Sequence, residues 1–260
     1  MNIIVCIKQV PGTTQVKINP ETNTLIREGV EAIINPFDEN AIEAALQLRD
    51  KHGGKVTVIT MGPPQAANAL KDALALGVDE AILLSDRAFA GSDTWATGYT
   101  LASAIKKLGA FDLIICGKQA IDGDTAQVGP GVAEFLNLPQ VTFAVGVEVN
   151  NGIMRVNRLL EETNEIVELK LPAVITVVKQ MNTPRMPSFK GKIKAKSAVI
   201  PTWGAKELNA ADNCIGQKGS PTSVVKIFTP PPKGGGEILQ GSVDEMVDSL
   251  VKILRDRKVC

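Results

Sequence analysis

Short apolar runs alternate with stretches of helical periodicity along about the first 180 residues. The apolar runs are bounded by Gly, Asp or Pro and occupy residues 3–7, 56–61, 81–84, 112–116 and 173–178. Such runs are typical of strands that are buried on both faces of a parallel sheet. Helical patterns lie between them at 36–52, 64–76, 93–108 and 125–136. The alternation predicts an α/β fold, a doubly wound parallel sheet with helices on both faces.

The pattern changes after residue 145. Segments 145–158 and 165–171 alternate between polar and apolar positions around polar turns, which predicts an antiparallel excursion before the fifth parallel strand. Beyond Lys179, stretches rich in Pro and Gly predict an extended C-terminal arm. The arm is expected to end in an amphipathic helix at 242–257, with Ser242 and Glu245 as its capping pair.

These patterns divide the chain into an α/β domain, residues 1–185, and a C-terminal arm with its helix, residues 186–260. The arm contains large apolar side chains with little predicted structure to pack against: Phe189, Trp203, Ile215 and Phe228. We therefore expect the arm and its helix to pack on a partner subunit.

Composition narrows the class of protein. Hydrophobic residues make up 44% of the 260, and 28 Lys and Arg balance 28 Asp and Glu, which is typical of a globular protein and argues against nucleic acid as the main partner. One histidine and four scattered cysteines predict no metal site. No apolar run is long enough to span a membrane, and the first residues show no secretory leader. We expect a cytoplasmic protein with free thiols.

The most informative loop follows the predicted strand at 112–116. It contains glycines that allow close backbone approach, Gly117 and Gly123, and polar side chains, Thr125 and Gln127, before a predicted helix. Backbone N–H groups at such a strand-to-helix turn can bind phosphate oxygens. The alternative is a plain turn in which Asp122 and Asp124 cap the helix; two such carboxylates could also hold a magnesium ion.

Two other strand ends are expected to reach the same edge of the sheet. Lys8 follows the first strand, and Met61 ends the second before Gly62. The sequence has no Walker loop, no GxGxxG, no Ser/His/Asp arrangement and no zinc-protease motif. It therefore predicts a nucleotide-binding domain without catalytic residues of its own, which relies on a partner.

Several segments closely resemble the beta subunit of electron-transfer flavoproteins, over essentially the whole chain. The segments that carry the resemblance are 5–10, 35–41, 61–63, 73–79, 117–122, 169–174 and 182–185. The resemblance implies a heterodimer with an alpha subunit, whose FAD exchanges electrons with a flavin-dependent dehydrogenase such as an acyl-CoA dehydrogenase. It also implies a second adenine nucleotide in the α/β domain of this chain.

The nucleotide contacts of that family fall on eighteen positions here. They are Cys6, Asn35, Pro36, Phe37, Asp38, Met61, Gly117, Lys118, Gln119, Ala120, Ile121, Asp122, Gly123, Asp124, Thr125, Ala126, Gln127 and Val128. In respiratory members the nucleotide is a structural AMP. In electron-bifurcating members it is a second FAD that accepts hydride from NADH and divides the electrons between ferredoxin or flavodoxin and the alpha-subunit FAD.

The loop sequence resembles the bifurcating branch. Respiratory members have a bulky side chain where this chain has Gly123 and an asparagine where it has Ala126, so the present loop would leave room for a ligand longer than AMP. NADH oxidation is then expected only in the heterodimer. The alternatives are a respiratory-type carrier with AMP, a non-redox sensor of adenine nucleotides and, least favoured, a stand-alone NAD-dependent enzyme.

A further segment resembles the loop by which respiratory members dock on acyl-CoA dehydrogenases. Phe189 takes the position of the apolar anchor, and Lys190, with Arg185 and Lys192, supplies positive charge beside it. The resemblance implies that Phe189 and Lys190 contact the dehydrogenase. The alternative is that Phe189 packs on the alpha subunit.

Overall fold

A computed structural model describes residues 1–12, 17–18, 25–26, 32–225, 234–236 and 238–259. Two compact units are present, Met1–Val225 and Lys226–Cys260, and each is described by itself. Phe228, for which we expected a partner contact, and Cys260 lie outside the described residues.

The first unit is built on a large sheet. In chain order its strands are β1 (Asn2–Cys6), β2 (Gln9–Pro11), β3 (Lys17–Ile18), β4 (Leu25–Ile26), β5 (Ala32–Ile34), β6 (Lys55–Met61), β7 (Glu80–Leu84), β8 (Leu113–Gly117), β9 (Gln140–Asn150), β10 (Ile153–Leu159), β11 (Asn164–Lys170), β12 (Ala173–Val177) and β13 (Thr202–Trp203). Nine of the described strands form one sheet in the order β11-β10-β9-β12-β8-β1-β6-β7-β13. Strands β2 and β5 form a separate antiparallel pair, as do β3 and β4.

Helices cover both faces of this sheet. They are α1 (Pro36–His52), α2 (Ala67–Leu76), α3 (Thr94–Leu108), α4 (Val128–Leu136) and α5 (Phe189–Ser197), with 3-10 turns at Pro64–Ala66, Arg87–Phe89 and Lys179–Met181. Alternate residues of β1 enter different apolar clusters: Ile3 and Val5 pack with α1 and α2, and Ile4 and Cys6 pack with α3 and α4. The predicted doubly wound α/β fold is thus confirmed.

The antiparallel excursion is also present. β9 runs parallel to β12, and β10 and β11 continue from it as antiparallel neighbours. Met154 and Val156 of β10 are fully buried, whereas Ile153 and Arg155 on its other face are exposed. One face of this extension therefore packs on the core and the other is open, which explains the alternating sequence pattern.

Residues 179–225 hold more structure than the sequence predicted. Helix α5 packs on α2, and β13 pairs in parallel with β7 at the edge of the sheet. Ile215, which we expected a partner to cover, is buried in the apolar cluster of its own chain, and Trp203 packs against that cluster. Phe189, in contrast, is 82% exposed.

Helix α6 (Val243–Asp256) lies in the second unit and confirms the predicted terminal helix. Ser242 and Glu245 form the complete capping box, each side chain bonding the backbone N–H of the other. Val243, Val247 and Leu250 share one exposed side of the helix. Among the described helices, none combines the length and the apolar character needed to cross a membrane.

The packing of α5 on α2 depends on a glycine. A Cβ atom at Gly191 would lie 2.2 Å from the backbone oxygen of Ala75, so only glycine allows this approach. We expect Gly191→Ala to cost about 1–3 kcal/mol of unfolding free energy, because the added methyl group overpacks the contact. Chemical denaturation gives the free energy, and faster hydrogen exchange within residues 189–197 would locate the effect.

Gly131→Ala is the matched control, since Gly131 is also helical and its added Cβ would have no atom within 4 Å. This variant is expected to be neutral or to gain about 0.5–1 kcal/mol. Equal destabilisation by both variants would contradict the role assigned to Gly191.

Candidate functional site

The candidate site lies where the order of the strands reverses. From β1 the chain continues to β6 on one side, whereas β8 lies on the other side of β1. Cys6, the last residue of β1, is in register with Cys116 of β8. The carboxyl ends of β1 and β8 therefore flank the switch point, the position at which open α/β sheets bind ligands.

Asp38 joins the two strand ends. It lies in the first turn of α1 and is buried. Its Oδ2 accepts the backbone N–H of Lys8, at 2.7 Å, and its Oδ1 accepts that of Gly117, at 3.1 Å. A Cβ at Gly117 would lie 2.2 Å from Asp38 Oδ1, so glycine is required for this contact. The carboxylate thus holds β1 and β8 together where they leave the sheet.

Burial has an electrostatic cost for Asp38. Desolvation raises the pKa of Asp38 from 3.8 to about 7, against the opposing effects of hydrogen bonds from Asn35, Lys8 and Gly117 and of the positive charge of Lys8. The carboxyl group of Asp38 therefore titrates near neutral pH.

Asn35 anchors the loop that follows β8, residues 118–127. Its side chain is fully buried, donates to the backbone oxygen of Gln119 at 2.8 Å and accepts from the N–H of Ile121 at 3.1 Å. Asn35 is also the N-cap residue of α1, yet its side chain makes no capping bond. Its amide therefore holds the loop and does not cap the helix.

Two further contacts tie the loop down. Lys8 Nζ bonds both carboxylate oxygens of Asp122, at 2.7 and 2.8 Å, and the side-chain amide of Gln119 contacts Asp124. The suggestion that these two acids cap the following helix is therefore wrong, because their oxygens bond Lys8 and Gln119. Within the described residues no group of three acidic, His or Cys side chains is placed to hold a metal ion.

The loop leads to an uncapped helix end. The sequence predicted a helix from residue 125, but α4 begins at Val128, and no side chain caps it. The oxygen of the Gln127 side chain accepts from Thr94 at 2.8 Å. The N–H groups of Val128 and Gly129, together with the helix dipole, favour an anion at this end, whereas Pro130 has no N–H to offer. Thr94, at the first turn of α3, had no sequence motif that could have identified it.

The middle of the loop is open. Thr125 is exposed, and Asp124 and Ala126 adopt positive φ of 53° and 54°. A Cβ at Gly123 would meet no atom within 4 Å. Space at this residue is therefore available for a ligand without rearrangement of the chain.

The remaining expected contacts surround the same edge. Phe37 lies under Lys179 Nζ, 5.5 Å from the ring centre, and Lys118 Nζ lies 5.3 Å from the ring centre of Phe143. Met61 ends β6 on the far side of β1. Hydrogen bonding with the Cys116 thiol, together with burial, raises the pKa of the Cys6 thiol well above its ordinary value, so Cys6 is a packing residue and not a nucleophile.

Phe189 and Lys190 lie apart from this site. They begin α5, whose Gly191 contacts Ala75 near the end of α2, and α2 runs away from the strand ends that carry the loop. Arg185, which we expected beside Phe189, instead bonds Glu43 at 2.7 Å and Asp50 at 3.1 Å on α1. Lys190 and Lys192 remain exposed beside Phe189.

The sequence is similar to proteins of known families. A model of the electron transfer flavoprotein domain matches residues 22–208. The chain is 53% identical to an electron transfer flavoprotein subunit beta of Thermoanaerobacterium thermosaccharolyticum and 48% identical to the caffeyl-CoA reductase-Etf complex subunit CarD of Acetobacterium woodii. It is 44% identical to the acryloyl-CoA reductase electron transfer subunit gamma of Anaerotignum propionicum. Each of these three matches covers 100% of both chains.

The buried carboxyl of Asp38 predicts a pH dependence of stability. The pKa of Asp38 is about 7 in the folded chain and 3.8 in the unfolded chain. Protonation of Asp38 therefore stabilises the folded chain at low pH, and this stabilisation is lost as the pH rises to about 7. We expect the unfolding free energy of Asp38→Asn, relative to the parent chain, to rise by about 3 kcal/mol between about pH 5 and pH 8.

The matched control is Asp112→Asn, measured by denaturation over the same pH range. Asp112 accepts the N–H of Asn2 at the other end of the same strand pair, but it is not enclosed as Asp38 is. Comparison of the two variants separates the effect of enclosing the carboxyl from the loss of a carboxylate acceptor. A profile for Asp38→Asn that parallels the parent chain would refute the prediction.

Proposed function

The chain belongs to the electron transfer flavoprotein family as a beta subunit, which functions in electron transfer with an alpha-subunit partner, and on this premise we propose that it is of the electron-bifurcating type. Its site would hold a second FAD, through which NADH is oxidised. The two electrons would be divided between ferredoxin or flavodoxin and the FAD of the alpha subunit.

The arrangement at the switch point is the observation that carries this proposal. The uncapped start of α4 offers backbone donors to phosphate oxygens, and Thr94 holds the Gln127 side chain beside that helix start. Lys8, paired with Asp122, adds a positive charge at the end of β1. These groups suit the phosphates of an adenine dinucleotide.

Open space at Gly123 supports FAD over AMP. A side chain at this residue would point into solvent-accessible space, and Ala126 carries only a methyl group. A ligand that extends beyond one phosphate would require such space. AMP, bound as a structural nucleotide in a respiratory-type carrier, is the second candidate and is served by the same phosphate donors.

The residues of the site would bind and orient the cofactor. Asn35 and Asp38 hold the loop and the two strand ends in place, and the loop backbone would approach the nucleotide. When bound, a flavin supplies hydride acceptance and single-electron transfer. The contribution of the described residues would be placement and electrostatics.

The names of the relatives support a reductase that acts on a CoA thioester as a partner. One relative is a subunit of a caffeyl-CoA reductase complex and another serves an acryloyl-CoA reductase. We propose that Phe189, which is exposed beside Lys190, docks on such a flavin-dependent dehydrogenase. Of the predicted arm, residues 186–260, the exposed Phe189 and helix α6 would face the partners, with α6 packing its apolar side on the alpha subunit.

Nucleotide content decides between the candidates. The co-purified heterodimer is denatured and its nucleotides are separated by chromatography. We expect two FAD and no AMP per heterodimer, because the space at Gly123 suits the longer ligand. One FAD with one AMP would contradict the proposal and indicate the respiratory-type carrier. If NADH is then added and the flavin absorbance does not change although an adenine nucleotide is bound, a sensor would be favoured.

Gly123→Trp tests the placement of the nucleotide in the same assay. The chain tolerates a Cβ at this residue, so the indole is expected to block the ligand and not the fold, with loss of one nucleotide and retention of the alpha-subunit FAD. Glu161→Trp, in the exposed turn between β10 and β11, is the control and should keep both. Full retention by Gly123→Trp would exclude the loop as the site.

Docking by Phe189 is tested separately. Phe189→Ala is expected to lower electron transfer to the dehydrogenase at least tenfold at limiting concentration, with nucleotide content and stability unchanged, because the side chain is exposed. Val199→Ala removes a still more exposed apolar side chain just beyond α5 and should have no effect. Equal activities of the two variants would argue against Phe189 as the anchor.

A further inference from the structure

A cavity lies between the first turn of α4 and the strands β9, β10 and β11. It has a volume of about 330 Å³ and is lined by Pro130 of α4, by Gln140, Val141 and Thr142 of β9, by Arg158 of β10 and by Val167 of β11. This volume falls at the lower end of the range found for small-molecule sites, about 300–1,000 Å³. The wall is partly apolar and carries one cationic group.

The cationic group has an unused donor. Arg158 Nη2 bonds Thr142 Oγ1 at 3.2 Å, and Nη1 lies 3.3 Å from Glu165. Arg158 Nε is buried and has no hydrogen-bond partner in the part of the chain that the structure describes. The other guanidinium nitrogens of Arg158 are held beside the cavity by Thr142 and Glu165, so the positive charge lies at its wall.

The backbone is distorted where it forms this cavity. Phe143, next to Thr142, has a positive φ of 60°, which is unusual for a bulky residue. The pairing of β9 with β10 shifts register at Asn157 and Arg158, and its pairing with β12 shifts between Ile175 and Val177. Irregular strands of this kind are frequent beside binding sites, where they redirect side chains.

We propose that this cavity binds a small anionic ligand, a carboxylate or a phosphate. The anion would accept from the Nη groups of Arg158, in competition with Glu165, and from the hydroxyl of Thr142, whose oxygen already accepts from Nη2. Arg is suited to such groups because its planar guanidinium presents several donors. Val141 and Val167 would contact an apolar remainder. Glu165 does not prevent this, because its side chain is half exposed and can turn to solvent.

Calorimetric titration of the nucleotide-loaded heterodimer tests the site. The probes are sodium 4-fluorobenzoate and sodium phosphate, with sodium chloride as the ionic-strength control. We expect millimolar binding of at least one probe and at least tenfold weaker binding in Arg158→Gln. Tighter binding of the benzoate would assign the site to an apolar carboxylate, and tighter binding of phosphate to a phosphate group.

Arg155→Gln is the matched control, because Arg155 lies on the exposed face of the same strand. It should bind like the parent protein. Thr142→Val covers the case in which Arg158→Gln does not fold: it should weaken binding, whereas Thr142→Ser should retain it. No binding of either probe, or equal binding by the parent, Arg158 and Thr142 variants, would overturn the proposal.

Discussion

The carboxylate of Asp38 is the contact on which the switch-point edge depends. It accepts backbone N–H groups from the ends of β1 and β8, two strands that run side by side but lead the chain in different directions. Without an acceptor at this place two buried donors would lie unpaired where the sheet opens. The carboxyl of Asp38 stabilises this opening although its burial is unfavourable. The burial raises the pKa of Asp38 to about 7, so the group titrates close to neutral pH.

The same edge shows how side chains from distant parts of the sequence shape one loop. Asn35, Lys8 and Thr94 all bond residues of the segment between β8 and α4. None of these bonds caps α4, so the positive end of that helix stays available while the loop is fixed around it. Residues on both sides of Gly123 are hydrogen-bonded to other parts of the chain, whereas the space around Gly123 itself is open.

Much of the fold was predictable because the strands of a parallel sheet are buried on both faces and therefore read as continuous apolar runs. The alternation of β10 and β11 and the capping box of α6 were equally local signals. Helix α5 and β13 were missed, since α5 is rich in lysine and depends on contact with α2, and β13 has two residues. In the site, the loop was predictable from its glycines, but the bonds of Asn35 and Lys8 to residues more than 80 positions away were not.

The position of α5 has a consequence for how such a subunit can change over time. The exposed Phe189 of α5 lies near the last turn of α2, at the end of the sheet away from the loop that follows β8. Helix α5 makes none of the hydrogen bonds described for that loop. If Phe189 docks on the dehydrogenase as proposed, substitutions on the exposed side of α5 would change which protein is recognised and leave the proposed nucleotide site intact. Partner recognition and cofactor binding would then be separable traits, open to independent selection.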